Sequence, residues 1–405
     1  MRNETFEFQI VTPMFLGGAD QQAEGIRPAS IKGALRFWWR ALNWVRCWQL
    51  SQPNNEAALR LLHAEEARLF GVAAGWDKDT KKSTGGQGIF LMQVAEVKTQ
   101  TVPQPFSPMA PGQLYLLGMG LATFKEGGKC LRNALQKGGS FTLKLVFHPQ
   151  ATDKDVRQVK DAVRAFGLLG ALGSRARHGL GSVALTGPDA PNTRAEYIQA
   201  VRDLLKPTLL ASGEAPFTAF SAHTRVDVSA AGNDALRLLD TVGREQQLYR
   251  SYGQGGRVNG QPAERNFKED HHDLLKVFDG KFPSNAPVRS VFGLPHNYYF
   301  SSQKDIRPAK GKVDVDYIAP DGKDGRRASP LLLHIHPLSD VGFTALNILM
   351  PAQFLPDGKQ TQVKLKVSEN RYKSHNAPIN PAWEKLHEYL NRFIDKEGVT
   401  IHGKY

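Results

Sequence analysis

Two cysteines in 405 residues, Cys47 and Cys130, exclude two chemistries at the outset. They cannot build a disulfide framework, and no further thiols stand at zinc-site spacing. That usage predicts a reducing compartment. Long apolar runs are missing as well, since no stretch approaches the roughly 18 consecutive apolar residues that a membrane helix needs. Residues Met1 to Phe8 alternate polar and apolar side chains and hold no signal-peptide core. The expectation is a cytoplasmic chain with no membrane partner. Nucleotide-binding loops are also absent: there is no G-x-x-x-x-G-K-[ST], and no G-x-G-x-x-G follows a strand. Neither a G-x-S-x-G elbow nor a Ser-His-Asp spacing appears, and no carboxylate pair is specific. The expectation is therefore no catalytic residue, no cofactor and no metal.

Acidic residues are in short supply. Lys plus Arg is 52 against 39 Asp plus Glu, a net charge of +13. That balance favours a polyanionic partner and is silent about fold. With 41% hydrophobic and 22% charged residues the composition is that of a soluble globular protein. The length allows two cores at about 100–150 residues each.

Periodicity then orders the elements. Residues 5–12 alternate as a strand, and Ser30 is a candidate N-cap for a helix from Ile31 to about Trp48. Strands are predicted over Ile89–Val97 and Phe141–His148. Thr152 and Asp155 resemble a capping box opening a helix that buries Val156, Val159, Val163 and Phe166. Ser182–Thr186 reads as a further strand. The order β-α-β-β-α-β is the ferredoxin-like unit, with insertions at 75–88 and 99–139 expected to be surface loops. From Phe217 a similar grammar restarts: a strand over Phe217–Val228, a helix over Asp234–Arg250, strands at Leu331–Pro337 and Thr344–Met350, and a helix around Trp383–Phe393. Segments 253–286 and 301–327 are polar and glycine-rich, and read as mobile insertions. The fold class predicted is α+β, with two ferredoxin-like (RRM-like) domains carrying long loop insertions, over 1–210 and 211–405.

Two features carry chemistry. On a 100° wheel, Ile31, Ala34, Leu35, Trp38, Ala41, Leu42 and Val45 form a core stripe, while Lys32, Arg36, Arg40, Asn43 and Arg46 form a separate arc that includes Trp39. Cations with an interleaved indole are what a single-stranded nucleic acid site requires, one set for phosphates and the other for a base. The competing reading is a solvated basic face with Trp39 packed inside. Gly167 to Gly181 then places five glycines, Ser174, Arg175 and Arg177 in fifteen residues between a helix and a strand. Such a turn suits an extended phosphate backbone, because glycines admit close main-chain approach and arginines supply forked donors. It also suits a plain connector. Arg175 and Arg177 alternate around Ala176 and could face one groove. His178 beside them is either a general acid or base or, preferably, a hydrogen-bonding surface residue. Asp270-His271-His272-Asp273 reads as a solvated turn, and His334-x-His336 lacks a third metal ligand nearby in sequence.

Several ordered stretches are similar to one family. They are Phe8-Gln9-Ile10-Val11-Thr12-Pro13-Met14-Phe15-Leu16-Gly17-Gly18-Ala19, the helix Arg27–Arg40, Glu66-Ala67-Arg68-Leu69-Phe70-Gly71 and the glycine loop at 170–183. In the C-terminal half, Arg289-Ser290-Val291-Phe292-Gly293-Leu294-Pro295 and Arg326-Arg327-Ala328-Ser329-Pro330-Leu331 add to them. Together they resemble the subunit-one (Cmr1-type) family of the type III-B CRISPR effector, within the RAMP superfamily. The resemblance implies two ferredoxin-like domains and a glycine loop facing RNA. It implies a non-catalytic subunit of a crRNA-guided antiviral complex, placed at the crRNA 3′ end of the backbone, with crRNA, target RNA and other RAMP subunits as partners. The RNA-facing candidates are Lys32, Arg36, Trp39, Arg40, Gly173, Ser174, Arg175 and Arg177. A metal-independent RAMP endoribonuclease and a mainly architectural subunit are the alternatives.

Overall fold

The computed structural model describes residues 2–52, 54–77, 82–125, 127–209, 215–253, 255–304, 311–319, 322–356, 362–367, 374–393 and 399–402. The N-terminal half runs β1 (Arg2–Ile10), α1 (Pro28–Leu50), α2 (Asn55–Phe70), β2 (Phe90–Lys98), α3 (Pro111–Leu117), β3 (Ser140–Phe147), α4 (Asp153–Leu169), β4 (Val183–Thr186) and α5 (Arg194–Leu205). Its sheet has the order β4-β1-β3-β2, every pair antiparallel. Register places Phe8 opposite both Phe141 and Leu185, and the Phe8 and Phe141 rings stack 5.0 Å apart over the core.

The C-terminal half repeats the pattern with β5 (Arg225–Gly232), α6 (Ala235–Tyr249), α7 (Lys268–Leu275), β6 (His296–Tyr299), β7 (Lys312–Ile318), β8 (Leu331–Leu338), β9 (Gly342–Leu349), β10 (Gln362–Val367), β11 (Ser374–Pro378), α8 (Trp383–Asn391) and β12 (Val399–His402). Its sheet, β8-β9-β5-β12, is antiparallel throughout. Taking β5, β8, β9 and β12 as first to fourth strand, this sheet reads second-third-first-fourth, which is the first sheet's fourth-first-third-second order met from the other edge. Within a mixed α/β architecture, an antiparallel four-stranded sheet of equivalent strand order is thus built twice along the chain, once in each half.

Local chemistry explains the helix starts. Thr152 and Asp155 cap α4 reciprocally, with Asp155 N donating to Thr152 Oγ1 at 3.2 Å and Thr152 N donating to Asp155 Oδ2 at 2.9 Å. The buried Asp155 carboxylate also takes both arms of Arg68 from the end of α2. Those Arg68 bonds, foremost, pull its pKa down to about 2, against a desolvation that raises it. Asp155→Ala removes the cap and strands Arg68, and a loss of about 2–3 kcal/mol is expected. The shift in urea midpoint at pH 7 measures it, and an unchanged midpoint would refute the role.

Several expectations are corrected. Helix α1 starts at Pro28 with Arg27 as N-cap, so Ser30 lies inside it; proline pre-sets the first helical φ and needs no donor. The strand predicted over 217–228 begins only at Arg225. Its apolar residues pack on α1 instead, with Phe220 stacked on Trp38 and Phe217 edge-on to Trp44. The insertions are structured where described. Val72–Asp77 and Lys82–Gly86 pair as a hairpin. Segment 253–286 contains α7, and 301–327 contains β7 of a third sheet, β6-β7-β10-β11, whose core includes Tyr298, Val313, Val315 and Phe354. Part of the 301–327 expectation, 305–310 and 320–321, lies outside the described residues. Segment 99–139 is more than a surface loop, because α3 docks on α6: Gly112 N donates to Asp240 Oδ1 at 2.7 Å, and Gln113 Nε2 donates to Leu236 O at 2.8 Å.

Candidate nucleic-acid interface

Helix α1 is covered on two sides. The first sheet and α4 pack on one side of α1, which buries Ile31 and Leu35, Phe220 stacks on Trp38, and α2 covers the neighbouring face. That second cover decides the fate of the predicted basic arc. Arg36 Nε and Arg40 Nη1 donate to the same oxygen of Glu66, at 2.6 and 2.7 Å, and the Glu66 side chain is only 5% exposed. A buried carboxylate held by two guanidiniums is a structural clamp between α1 and α2, although about a third of each arginine side chain stays exposed. Lys32, one turn earlier, has no carboxylate partner among the described residues. Its pKa is lowered by burial and then by Arg36. Lys32 and Arg36 line a cleft of about 480 Å³ floored by Phe70, Gly71, Phe90 and Leu91.

Trp39 is corrected. It has no exposed surface, and its ring meets Phe70 edge-on at 6.2 Å. The arc that groups it with the cations points at α2, so the indole is core and offers no face to a base.

The glycine loop is a seam between the two halves. Helix α4 continues through Gly167 to Leu169, and the loop proper follows from Gly170. Ser174 N donates to Phe15 O at 2.9 Å, Gly181 N to Pro13 O at 2.9 Å, and Ser182 N to Thr12 Oγ1 at 2.9 Å. Across the seam, Leu333 N donates to Arg177 O at 2.9 Å and Ile335 N to Ser182 Oγ at 3.2 Å. Gly173 has φ +96°, and a Cβ there would lie 2.7 Å from Phe15 O, so glycine is required by both conformation and space. Many of the loop's main-chain donors are therefore committed to the protein.

Its two arginines diverge. Arg175, at φ +61°, is exposed as a residue and rests its guanidinium head against Gly118 and Met119. Burial of that head lowers its pKa, and the charge of Arg326 lowers it further. Arg177 instead donates to Ser329 O and lies 5.6 Å over the Phe37 ring of α1. Burial, then Arg327, brings its pKa down to about 10. The expectation that both face one groove fails: Arg175 is available at the surface, and Arg177 ties the loop to α1 and the C-terminal half. His178 is pushed down to about 3, by burial first and then by Arg175, Arg250 and Arg177. At neutral pH its imidazole is therefore neutral, with no imidazolium proton to give, and is a weak base.

The other candidates are structural. Asp270 lies in α7, not in a solvated turn, and accepts Val288 N and Arg289 N, both at 2.8 Å. His334 and His336 are buried: Gly170 O accepts from His334 Nδ1 at 2.9 Å, and His334 Nε2 sits 3.2 Å from His336 Nδ1. Among the described residues no three His, Cys, Asp or Glu side chains are grouped to hold a metal.

Sequence reasoning missed a cluster. The stretches around Arg289 and Arg326 pair with each other through Leu294 N to Arg327 O (2.8 Å) and Arg327 N to Leu294 O (3.0 Å). Both abut the glycine loop through Ser329 and Arg177. Arg250, at the C-cap of α6, and Arg289 belong to this junction. The two C-terminal motifs are the available signal for it, but in sequence they mark the family without disclosing a role.

Residues 7–184 match the RAMP superfamily. No curated protein matches the chain in sequence. Among solved structures, the fold is similar to apo Cmr1 from Pyrococcus furiosus at 16% identity and a TM-score of 0.54, covering all of both chains. Two chains of the type III-B Cmr-beta complex bound to cognate target RNA align at 11% and 9% identity. Each has a TM-score of 0.46 and covers 88% of this chain and 96% of its own. No helix among the described residues is long and apolar enough to cross a membrane.

Proposed function

From the match of residues 7–184 to the RAMP superfamily, we propose a non-catalytic RNA-binding subunit of a type III-B CRISPR (Cmr) complex. It would consist of two ferredoxin-like domains, 1–210 and 211–405, cap the crRNA 3′ end of the backbone and contact guide and target RNA beside other RAMP subunits. The fold shared with Cmr1 and the repeated fourth-first-third-second strand order support this reading. The observation that carries it is Arg175, an exposed arginine of the glycine seam whose head rests beside Met119 O, with no carboxylate pairing it among the described residues. Lys32, Arg36 and Arg40 extend the RNA-facing surface. Gly173 and Ser174 set the backbone that presents Arg175, while Arg177 organises the seam. The pKa of about 3 at His178 supports the non-catalytic assignment.

Titrating the protein with single-stranded RNA at several salt concentrations tests this reading. Lys32→Ala with Arg175→Ala should flatten the log–log salt slope by about 1.4, roughly 0.7 for each phosphate no longer neutralised. Unchanged slope and affinity would remove the mapped surface. Cleavage of labelled RNA in EDTA, lost in His178→Ala, would instead establish an endoribonuclease. The sharing of Glu66 by Arg36 and Arg40 favours a partly architectural role for α1. Crosslinks from that helix to protein rather than RNA in the assembled complex would make that role its main one.

A further inference from the structure

We propose that Arg250 and Arg289 form a phosphate-binding pocket beside the glycine loop, at the junction of the two halves. This deepens the RNA-binding reading and rests on it for the source of the phosphate, the RNA backbone.

The pocket gathers cations that no ion pair among the described residues neutralises; Asp270, whose carboxyl feels the charge of Arg289, is bound to the main chain. Arg250 lies 4.6 Å over the Phe292 ring and directs Nη2 at His296 Nε2, 2.5 Å away. Arg289 lies 4.3 Å over the Tyr298 ring and donates Nη1 to Arg250 O at 3.2 Å. Stacking fixes both forks but neutralises neither. Among the described residues, no carboxylate pairs with Arg175, Arg177, Arg250 or Arg289. The nearby acids are already committed: Asp270 to the main chain at 288–289, Glu245 and Glu264 to Arg392, and Glu388 to Tyr249 and Lys385.

The unsatisfied donors point the same way. Nε of Arg250 and Nε of Arg289 are buried without a hydrogen-bond partner. Because His296 Nε2 faces a guanidinium, it must accept, which leaves the ring proton on Nδ1. That atom too is buried and has no acceptor. Converging guanidiniums and an orphan imidazole donor need an acceptor-rich anion. A phosphate diester, with several acceptor oxygens and no proton to give, fits that geometry.

The test uses the full chain and two probes. Pyrophosphate, against sodium chloride at matched ionic strength, should raise the melting temperature of the wild type through preferential binding to the folded state. Arg250→Gln and Arg289→Gln should each abolish that rise, read against each variant's own baseline. Arg289→Lys, which keeps the charge, should restore part of it and guards against simple misfolding. Single-stranded RNA should bind the double Gln variant about tenfold more weakly, with a slope flatter by about 1.4. A pyrophosphate shift that persists in the double variant overturns the pocket, as does wild-type RNA affinity in that variant. A shift produced by poly-glutamate but not by pyrophosphate also overturns it, in favour of an acidic protein partner. Loss of the pyrophosphate shift in the variants, when the wild type binds no RNA, supports the phosphate pocket and removes the RNA reading instead.

Discussion

Gly181→Ala is expected to destabilise the protein by about 3–5 kcal/mol, although it adds a single methyl group. Gly181 has φ +67°, which costs alanine on the order of 1 kcal/mol. Space matters more. A Cβ at Gly181 would stand 2.0 Å from Leu172 O, a backbone atom that cannot rotate aside. Relieving that contact moves the two strands of the loop apart, breaking Leu172 N to Gly181 O and Gly181 N to Pro13 O. Each broken bond costs about 1 kcal/mol net, and more if its donor stays buried. The displacement also reaches Ser182, whose Oγ accepts Ile335 N from the C-terminal sheet. Gly138→Ala is the control: it shares a positive φ of +86° but has nothing within 4 Å of its would-be Cβ. Urea midpoints should separate the two variants by about 2 kcal/mol or more. Equal midpoints would show that conformation alone, not the packed seam, makes Gly181 necessary.

Lowering the pH should unfasten the same seam. His334 is buried with its pKa driven down to about 3 by desolvation, and His336 lies well below its ordinary value for that reason and because of His334. The unfolded chain takes up a proton on each near pH 6.5, whereas the folded protein resists until far lower. Between those limits the unfolded state binds more protons, so stability rises with pH. It is fully present above about 6.5 and is lost progressively as the pH falls toward 3. At pH 5 the loss is about 2 kcal/mol for His334, and His336 adds to it in the same direction. His336→Phe preserves the stack on Tyr197, which lies 4.0 Å away, and removes one titrating ring. Its stability should therefore fall less steeply than wild type between pH 6 and 5, by about 1 kcal/mol over that unit. Identical slopes in the two proteins would exclude the pair as the source of acid sensitivity.

Which of these features could be read from sequence follows from how local their causes are. The Thr152–Asp155 box is short-range and stands where its pattern places it; the strands expected at Leu331–Pro337 and Thr344–Met350 are found at Leu331–Leu338 and Gly342–Leu349, and Asp234, expected as the first helical residue, is the N-cap of its helix. Trp39 was misplaced because a wheel reveals which residues share a face, not how many neighbours cover the helix. With α2 against it, α1 buries an arc that composition marks as polar. Arg177 was misjudged for a similar reason: alternation placed it beside Arg175, while Phe37 and Ser329, distant in sequence, drew it away. Short elements such as α3 and α7 escaped notice because they are stabilised by what they dock on rather than by their own periodicity. The exposed arginine of the glycine loop was visible; the arginines opposite it were present as motif residues whose chemistry emerges only when the halves meet.

The docking of α3 on α6 also dictates an order of events during synthesis. A Cβ on Gly112 would lie 2.0 Å from Asp240 O, and one on Gly243 would lie 2.2 Å from Gly112 O, so the two backbones touch. The partners are 128 residues apart, and α3 belongs to an insertion between two strands of the first sheet. The first half therefore emerges from the ribosome with one arm unable to find its seat until α6 has been made. Until then Leu116 and Leu117, buried in the finished protein, stay uncovered on the α6 side, and the nascent chain passes through a stage whose exposed surface is absent from the completed molecule.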